Sequence, residues 1–298
     1  MSSVRLAASL FIVLLVAGCG SRPPAASEPA SSIAASVSAE SVGNRHPLVV
    51  QGAMDVEVQT LVALLEHPAE EHVQGWTFWA GTLAGVPVVV SKTLKGGTSA
   101  AAATALAIEH YHPAAIINQG TAGGHDPALH VSDIVLGKES VNIGAFRTGT
   151  RDIGAGSNFA EWKPMDLLRS EGSAGQDPQA WVMRRFAGDP TLLAAAKSVN
   201  GQYGQGKVVE GVIGSSDVWN SERDRIARFH DEFGTSVEEM ETAPAAQVAG
   251  IAHVPFLGIR VLSNNITNGG AYNGHTADVC QTFVLQVIHA YAEQQRAH

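Results

Sequence analysis

Three polar segments of the sequence each follow an apolar run that predicts a buried strand. Glu57 comes after the run at Leu48, a glycine-rich turn at 120–124 comes after Ile117, and Asn264 comes after Leu262. Carboxylates and amides carry acid–base and hydrogen-bonding chemistry, and glycines allow the backbone to approach a ligand closely. These residue types therefore predict one ligand site, although Glu57 also fits an acid that only stabilises the first turn of a helix.

The elements that must position these residues alternate between strands and helices. Predicted strands cover 48–50, 76–79, 86–90, 115–118, 133–136, 208–213 and 254–262, and predicted helices cover 55–65, 100–110, 190–199, 221–229, 242–250 and 277–294. This alternation predicts an α/β fold of three layers, α/β/α, with a central mixed, mostly parallel twisted sheet. Ligands of such folds bind beyond the carboxyl ends of the strands, where the polar segments stand.

One long segment does not follow this alternation. Residues 137–185 are rich in Gly, Ser and Asn and include Trp162 and Trp181. A segment of this length without regular periodicity is typical of a lid, a binding loop or an interface.

The composition excludes several classes of partner and cofactor. The chain has 298 residues, 45% hydrophobic and 16% charged, with a formal net charge of −9 and no basic stripe, so we expect no nucleic-acid partner. Twelve histidines show no paired ligand spacing on one helix face, so no metal is expected. Cys280 lies in an apolar helical pattern and is expected to be a small buried side chain.

The first 45 residues predict export rather than folded structure. One cation, Arg5, precedes an apolar run that is too short to span a bilayer, as in a secretory signal covering residues 1–19. The run ends in Ala-Gly-Cys, which resembles the bacterial lipobox and implies lipidation at Cys19; the alternative is a cleaved signal with a chance cysteine. Residues 20–45, rich in Ser, Ala and Pro, predict a disordered tether to a folded domain at 46–298. We expect a periplasmic protein anchored through its lipid to a bacterial membrane, with Gly20 favouring the outer one.

Four segments in order carry a resemblance to a known family. They are residues 52–58, 117–124, 215–220, and 239–241 with the following helix and the strand to Ser263. Together they resemble the 5'-methylthioadenosine/S-adenosylhomocysteine nucleosidases of the nucleoside phosphorylase superfamily, over residues 47–296. The resemblance implies hydrolysis of the N-glycosidic bond of a purine nucleoside, with water as the nucleophile and no cofactor.

The resemblance also implies roles for individual residues around the sugar. Glu57 matches the general base that activates water, and Glu241 matches the carboxylate that grips the ribose 2'- and 3'-hydroxyls. Met240 matches a side chain lying against the sugar. Thr121 and Gly123 match the turn that brings backbone close to the sugar and the water.

Further matched positions concern the base and the water. Trp219 matches an aromatic ring stacked on the purine, and Asn220 a position whose backbone reads the base edge. Arg260 matches a basic side chain near the water. Ser263 is followed by Asn264 where the family has an aspartate that hydrogen-bonds or protonates purine N7.

That departure puts adenine nucleosides in doubt. An amide donates a hydrogen bond but supplies no proton, and adenine leaves poorly without protonation at N7. A 6-oxopurine is a better leaving group, and the resemblance extends to 6-oxopurine enzymes with an asparagine near this position. Both a methylthioadenosine-type substrate and an oxopurine nucleoside such as inosine remain open, and a homodimer is implied by the resemblance.

Two other functions compete with a hydrolase. A phosphate-dependent phosphorylase would need cations near the first strand, yet no arginine occurs from 47 to 80 and Glu57 would repel phosphate. A non-catalytic nucleoside-binding lipoprotein would account for the missing acid at Asn264. Retention of both glutamates favours catalysis.

Overall fold

The computed structural model describes residues 46–165 and 184–297, over which the chain alternates strands and helices. The strands are β1 (Leu48–Gly52), β2 (Glu66–Val73), β3 (Trp76–Leu83), β4 (Val86–Lys92), β5 (Ala115–Gly124), β6 (Ile134–Asn142), β7 (Phe146–Arg147), β8 (Lys163–Pro164), β9 (Arg185–Ala187), β10 (Val208–Ser215), β11 (Thr235–Glu239) and β12 (Phe256–Asn264). The helices are α1 (Asp55–Leu64), α2 (Gly97–Tyr111), α3 (Pro190–Ser198), α4 (Arg223–Phe233), α5 (Thr242–Ile251) and α6 (Thr276–Ala297). The signal, the lipidation position Cys19 and the tether lie outside the described residues.

A mixed sheet forms the middle layer, which confirms the predicted fold class. Its strand order is β11-β10-β6-β12-β5-β1-β4-β3-β2, with β9 paired to β6. The pairings of β1 with β4 and β5, and of β5 with β12, are parallel, whereas β2, β3 and β4 form an antiparallel meander at one edge. The carboxyl ends of β1, β5 and β12 therefore meet at one edge of the sheet, where polar segments follow each of them.

Helices cover both faces of this sheet because the central strands are apolar on both. Leu48 and Val50 of β1 pack with α1, α3 and α6, whereas Val49 between them packs with α2 and α5. Ile117 and Ile116 of β5 divide between the two sides in the same way. Successive side chains of a strand point to opposite faces, so these continuous apolar runs form a strand buried on both sides.

The sheet also curls until its end strand meets its centre. β11 pairs with β10 in parallel and with β5 in antiparallel fashion, matching Val237 to Gly124 and Glu238 to Gly123. The strands β5, β12, β6, β10 and β11 thus form a closed ring of pairings. Through this closure the acidic run that begins at Glu238 lies beside the glycine-rich end of β5.

Apart from the short strands β7, β8 and β9, two strands were not predicted from the sequence, for different reasons. β2 carries Glu, His and Ala with its side chains largely exposed, so it shows no apolar alternation and is held by pairing with β3. β11 is only five residues long and runs directly into charged residues. Short or polar strands of this kind form through tertiary pairing rather than through local propensity.

The described part of the segment predicted to be irregular contains short regular elements. Its start continues β6 to Asn142, and β7 and β8 form a small separate sheet. Trp162 packs with Phe146 and Phe159, and Phe159 packs edge-on against Phe229 of α4. Residues 166–183, with Trp181, lie outside the described residues.

Two further features concern burial and the membrane. Cys280 is fully buried in α6, as expected, and burial raises the pKa of its thiol to about 12. No helix in the described part of the chain combines the length and the apolar character needed to cross a bilayer.

Candidate active site

A cavity of about 250 Å³ lies at the carboxyl ends of β1, β5 and β12 and brings the predicted site residues together. The predicted residues that line it are Glu57, Thr121, Gly123, Trp219, Asn220, Met240, Glu241, Ser263 and Asn264. Arg260 is absent from its lining. Residues that are up to about two hundred positions apart in the chain thus share one wall, as the sheet topology requires.

Glu57 is held by four hydrogen bonds on the cavity wall. Its Oε2 accepts from the backbone N–H groups of Ala53 and Met54 at 2.9 and 3.2 Å. Its Oε1 accepts from the backbone N–H and the hydroxyl of Thr121 at 2.8 and 3.0 Å. The carboxylate therefore both caps the first turn of α1 and bridges to β5, so the helix-capping role and a position in the cavity coexist. Only 2% of this residue is exposed.

The backbone at Gly120 permits this arrangement. A Cβ at Gly120 would lie 2.5 Å from Arg260 Nη1 and 2.7 Å from Glu57 Oε1. Gln119 next to it donates a side-chain hydrogen bond to the Glu57 carbonyl, which ties the start of α1 to β5. The glycine is needed because two charged groups approach the strand here more closely than any side chain allows.

Glu241 lines the same cavity, although it is far from Glu57 in the sequence. It lies between β11 and α5. Its Oε1 accepts from the backbone N–H of Gly96 at 2.9 Å, and its Oε2 lies 3.9 Å from Arg260 Nη2. Burial, followed by the charge of Glu239, raises the pKa of this carboxyl to about 8, against the opposing charge of Arg260. The group is therefore an acceptor that ionises fully only above neutral pH.

Arg260 does not lie on the cavity wall, and the prediction that it contacts the substrate region directly needs correction. Its guanidinium is buried beneath the floor, where Nη2 donates to Glu239 Oε2 at 2.5 Å and also to Asn118 and Thr242. Burying a guanidinium requires a paired acid, and Glu239 supplies it. The positive charge therefore acts on the cavity through its interactions with Glu239, Glu241 and Glu57.

Asn264 reaches the cavity through an irregularity in β12. The register between β12 and β5 shifts between Leu262 and Asn264, so that Asn264 pairs with Gly123. Such bulges re-aim the side chains near them. The Ser263 hydroxyl lies 3.0 Å from Asn264 Oδ1 and 3.2 Å from the Ala122 carbonyl, and its single proton serves one of these acceptors at a time, so both ends of the Asn264 amide are able to bind a ligand.

Trp219 and Asn220 line the cavity in ways that the sequence does not reveal. The Trp219 side chain stands at the rim, with the residue 71% exposed and its ring 6.3 Å from that of Tyr272. The side chain of Asn220, rather than only its backbone, faces inward and donates to Glu238 Oε2 at 3.0 Å.

Several lining residues were not anticipated, among them the polar side chains of Lys95, His125, Glu238 and Tyr272. The sequence could have indicated two of them. His125 directly follows the glycine-rich turn at 120–124, and Glu238 directly precedes the segment 239–241. Lys95 and Tyr272 lie in loops with no motif around them. Within residues 46–165 and 184–297, no cluster of His, Cys, Asp or Glu is arranged to hold a metal ion.

Comparison with known proteins gives consistent results for sequence and structure. The profile of the phosphorylase superfamily matches residues 47–293. A 5'-methylthioadenosine/S-adenosylhomocysteine nucleosidase of Shewanella sediminis is 36% identical over 222 residues, covering 73% of this chain and 85% of that protein.

Two solved structures of nucleosidases bearing that same name are also similar. The enzyme of Colwellia psychrerythraea, in complex with adenine, is 28% identical with a TM-score of 0.66, covering 83% of this chain and 96% of that one. The enzyme of Neisseria meningitidis, in complex with methylthio-immucillin-A, is 27% identical with a TM-score of 0.65, covering 82% and 98%.

Proposed function

Since this chain belongs to the phosphorylase superfamily, and within it to the 5'-methylthioadenosine/S-adenosylhomocysteine nucleosidases, we propose that its cavity hydrolyses the N-glycosidic bond of a purine nucleoside. The products are the free purine and the ribose. The observation that carries the proposal is the convergence of Glu57, Glu241 and Asn264 on one cavity.

Glu57 is the general base in this proposal. The bond to the purine breaks as positive charge grows on the sugar, and water must attack the anomeric carbon while giving up a proton. Thr121 and the backbone at Ala53 and Met54 fix the carboxylate in one orientation. A fixed acceptor aligns the water at no further cost in the transition state.

Glu241 and Met240 hold the sugar. Glu241 lines the cavity, and a carboxylate accepts hydrogen bonds from two neighbouring hydroxyls, so it suits the 2'- and 3'-hydroxyls of ribose. The apolar side chain of Met240 lies beside it on the same wall and packs against the ring.

Asn264 faces the leaving base. Its NH2 group donates toward purine N7, which is an acceptor in every common purine. Trp219 at the rim stacks on the base once the substrate is present. No cofactor enters this chemistry.

Charge favours water over phosphate as the nucleophile. Glu57 and Glu241 both line the cavity, and Arg260 is buried against Glu239. Lys95 is the one lysine or arginine among the described residues that line it. An anion entering beside the Glu57 carboxylate, and beside Glu241 once that group is ionised, would be repelled in this partly desolvated space.

The first test is direct. The full-length protein is incubated with methylthioadenosine, adenosine, inosine and guanosine, each with and without phosphate, and free base is separated by chromatography. We expect base release from at least one substrate at the same rate with and without phosphate. Release that requires phosphate would identify a phosphorylase, and no release from any substrate would identify a nucleoside-binding protein.

We also propose that the protein is exported and lipid-anchored on the periplasmic side of a bacterial membrane, the outer one being favoured. The support is the sequence pattern that ends at Cys19. Lipid chains hold a protein on a membrane without a spanning helix. The homodimer expected from the resemblance remains a prediction.

Replacement of Cys19 tests the anchor. In a bacterial host that lipidates exported proteins, the unmodified chain is expected in the detergent-soluble membrane fraction and Cys19→Ala in the soluble or unprocessed fraction. Cys280→Ala is the matched control, because that buried thiol is not available for acylation. Equal distribution of C19A and the unmodified chain would refute lipidation at this position.

A further inference from the structure

A second polar cluster reaches the cavity wall through Glu238, His125 and Asn220. Together with Ser216 and Thr235 behind them, these residues form what we call the Glu238 cluster. Glu238 and His125 are buried, with side chains only 6% and 2% exposed, yet both contribute to the cavity wall. Burying a carboxylate costs free energy unless hydrogen-bond partners stabilise it. The partners of Glu238, and the acceptor positions that they leave open, therefore indicate what it can bind.

The partners of Glu238 leave one acceptor position open. Its Oε2 lies 2.8 Å from His125 Nε2 and accepts from Asn220 Nδ2 at 3.0 Å. Its Oε1 accepts from the Ser216 hydroxyl at 2.7 Å. A carboxylate offers about four acceptor positions. Among the described residues no second donor reaches Oε1, so this oxygen remains able to accept from a ligand.

His125 fixes the carboxylate. Its Nδ1 lies 2.8 Å from the Thr235 hydroxyl, which can donate to it, so that the proton resides on Nε2 and points at Glu238. The imidazole is also stacked on Phe229 of α4, with 6.1 Å between ring centroids. His125 is thus a positioning residue for Glu238 and does not itself need to touch a ligand.

The position of Glu238 relative to Asn264 follows from the strand registers. Gly123 pairs with Glu238 of β11 on one side and with Asn264 of β12 on the other. Neighbouring strands are about 4.8 Å apart, so the Cα atoms of Glu238 and Asn264 are about 10 Å apart with Gly123 between them. All three residues line the cavity, and Gly123 has no side chain to occupy the gap. A flat ring fits over Gly123 with an amide at one edge and a carboxylate at the other.

The hydrogen-bonding pattern of this row matches one class of purine. In a 6-oxopurine, N7 and O6 are adjacent acceptors and N1–H, next to O6, is a donor. The NH2 group of Asn264 suits N7 and O6, and Glu238 Oε1 suits N1–H. In adenine the N1 lone pair would face the Glu238 carboxylate, so this contact becomes repulsive, whereas the amide of Asn264 can pair with N7 and with either O6 or a 6-amino group.

We propose that Glu238 is a specificity-determining residue whose carboxylate accepts the N1–H of a 6-oxopurine, so that this nucleosidase acts on hypoxanthine or guanine nucleosides in preference to adenine nucleosides. The inference rests on the proposed function, since it assigns a base to the same cavity. Asn220 and Ser216 complete the cradle that holds the carboxylate in place.

The test compares substrates rather than absolute rates. kcat/KM for inosine and for adenosine, which share an unmodified ribose, is measured with the full-length protein and with Glu238→Gln. We expect the unmodified protein to favour inosine, and E238Q to lower the inosine-to-adenosine ratio at least about tenfold, because a hydrogen bond to a charged acceptor is lost. Asp224→Asn removes an exposed acid at the start of α4 and is expected to leave the ratio unchanged.

A second variant and a binding measurement allow the base preference to be determined even if E238Q is inactive. Asn264→Asp changes the other end of the row and is expected to shift the ratio toward adenosine as well. Calorimetric binding of free hypoxanthine and free adenine reports the preference without chemistry, so it remains informative if a variant is inactive. Thermal melting shows whether each variant is folded.

The outcomes separate the two proposals. Hydrolysis of adenosine equal to that of inosine, with a ratio that E238Q and N264D leave unchanged, would overturn the role of Glu238 while the hydrolase stands. Failure of the unmodified protein to release base from any nucleoside would overturn the proposed function itself. A shifted ratio in a folded E238Q protein is not expected from a merely structural role.

Discussion

Replacing Glu57 with glutamine is expected to lower kcat by about 10²- to 10⁴-fold, which is the usual contribution of a general base. The glutamine cannot take the proton of the attacking water. Its NH2 group would also face backbone N–H groups that now donate to the carboxylate, so one of the present hydrogen bonds is lost. Steady-state release of free base under saturating nucleoside measures the effect.

The matched control is Asp55→Asn in the same first turn of α1. Asp55 is exposed and pairs with Lys92 at 2.8 Å on the surface, so its loss is expected to leave kcat unchanged. Calorimetric measurement of nucleoside binding to E57Q distinguishes loss of the general base from loss of the fold, because a folded variant still binds the nucleoside. If folded E57Q kept nearly full kcat, Glu57 would not be the base.

Glu241 is expected to make substrate capture depend on pH. Its pKa of about 8 means that the carboxyl is largely protonated below this pH and is then a poorer acceptor for the two ribose hydroxyls. kcat/KM is therefore expected to rise with pH, by up to about tenfold per unit, until it levels off near the pKa. Glu241→Gln is expected to raise KM and to abolish this rise.

Glu222→Gln is the matched control, because it makes the same chemical change at an exposed site next to α4. It is expected to retain both the KM and the pH profile. A kcat/KM profile of the unmodified protein that stays flat from pH 6 to 8 would contradict the role of Glu241, as would an E241Q profile that still rises.

The raised pKa of Glu241 also makes the free energy of unfolding depend on pH. The folded state holds the Glu241 proton up to about pH 8, whereas the ordinary pKa is 4.5. Between these values the folded state binds more protons than the unfolded state, so the free energy of unfolding falls as pH rises, by at most about 1.4 kcal/mol per unit from this group. Denaturant unfolding at several pH values is expected to show a shallower fall in E241Q.

The sequence alone determined the alternation of strands and helices, and with it the three-layer fold. It also predicted which loops line the cavity, because Glu57, the turn at Thr121 and Asn264 each follow an apolar run, and parallel strands bring such positions to one edge. These features are local: periodicity and residue type decide them before the chain folds. The exposed strand β2 and the short strand β11 could not be predicted in this way, because their pairing partners, rather than their own residues, stabilise them.

Only the tertiary structure decided which way each side chain faces and what it meets. Arg260 has the same local pattern whether it lines a cavity or lies under its floor, and its pairing with Glu239 on a different strand settles the matter. Glu238 and Asn264 become neighbours of Gly123 only because the sheet curls until β11 meets β5. Contacts between residues remote in sequence depend on register and curvature, which the whole packed sheet sets and no single segment encodes.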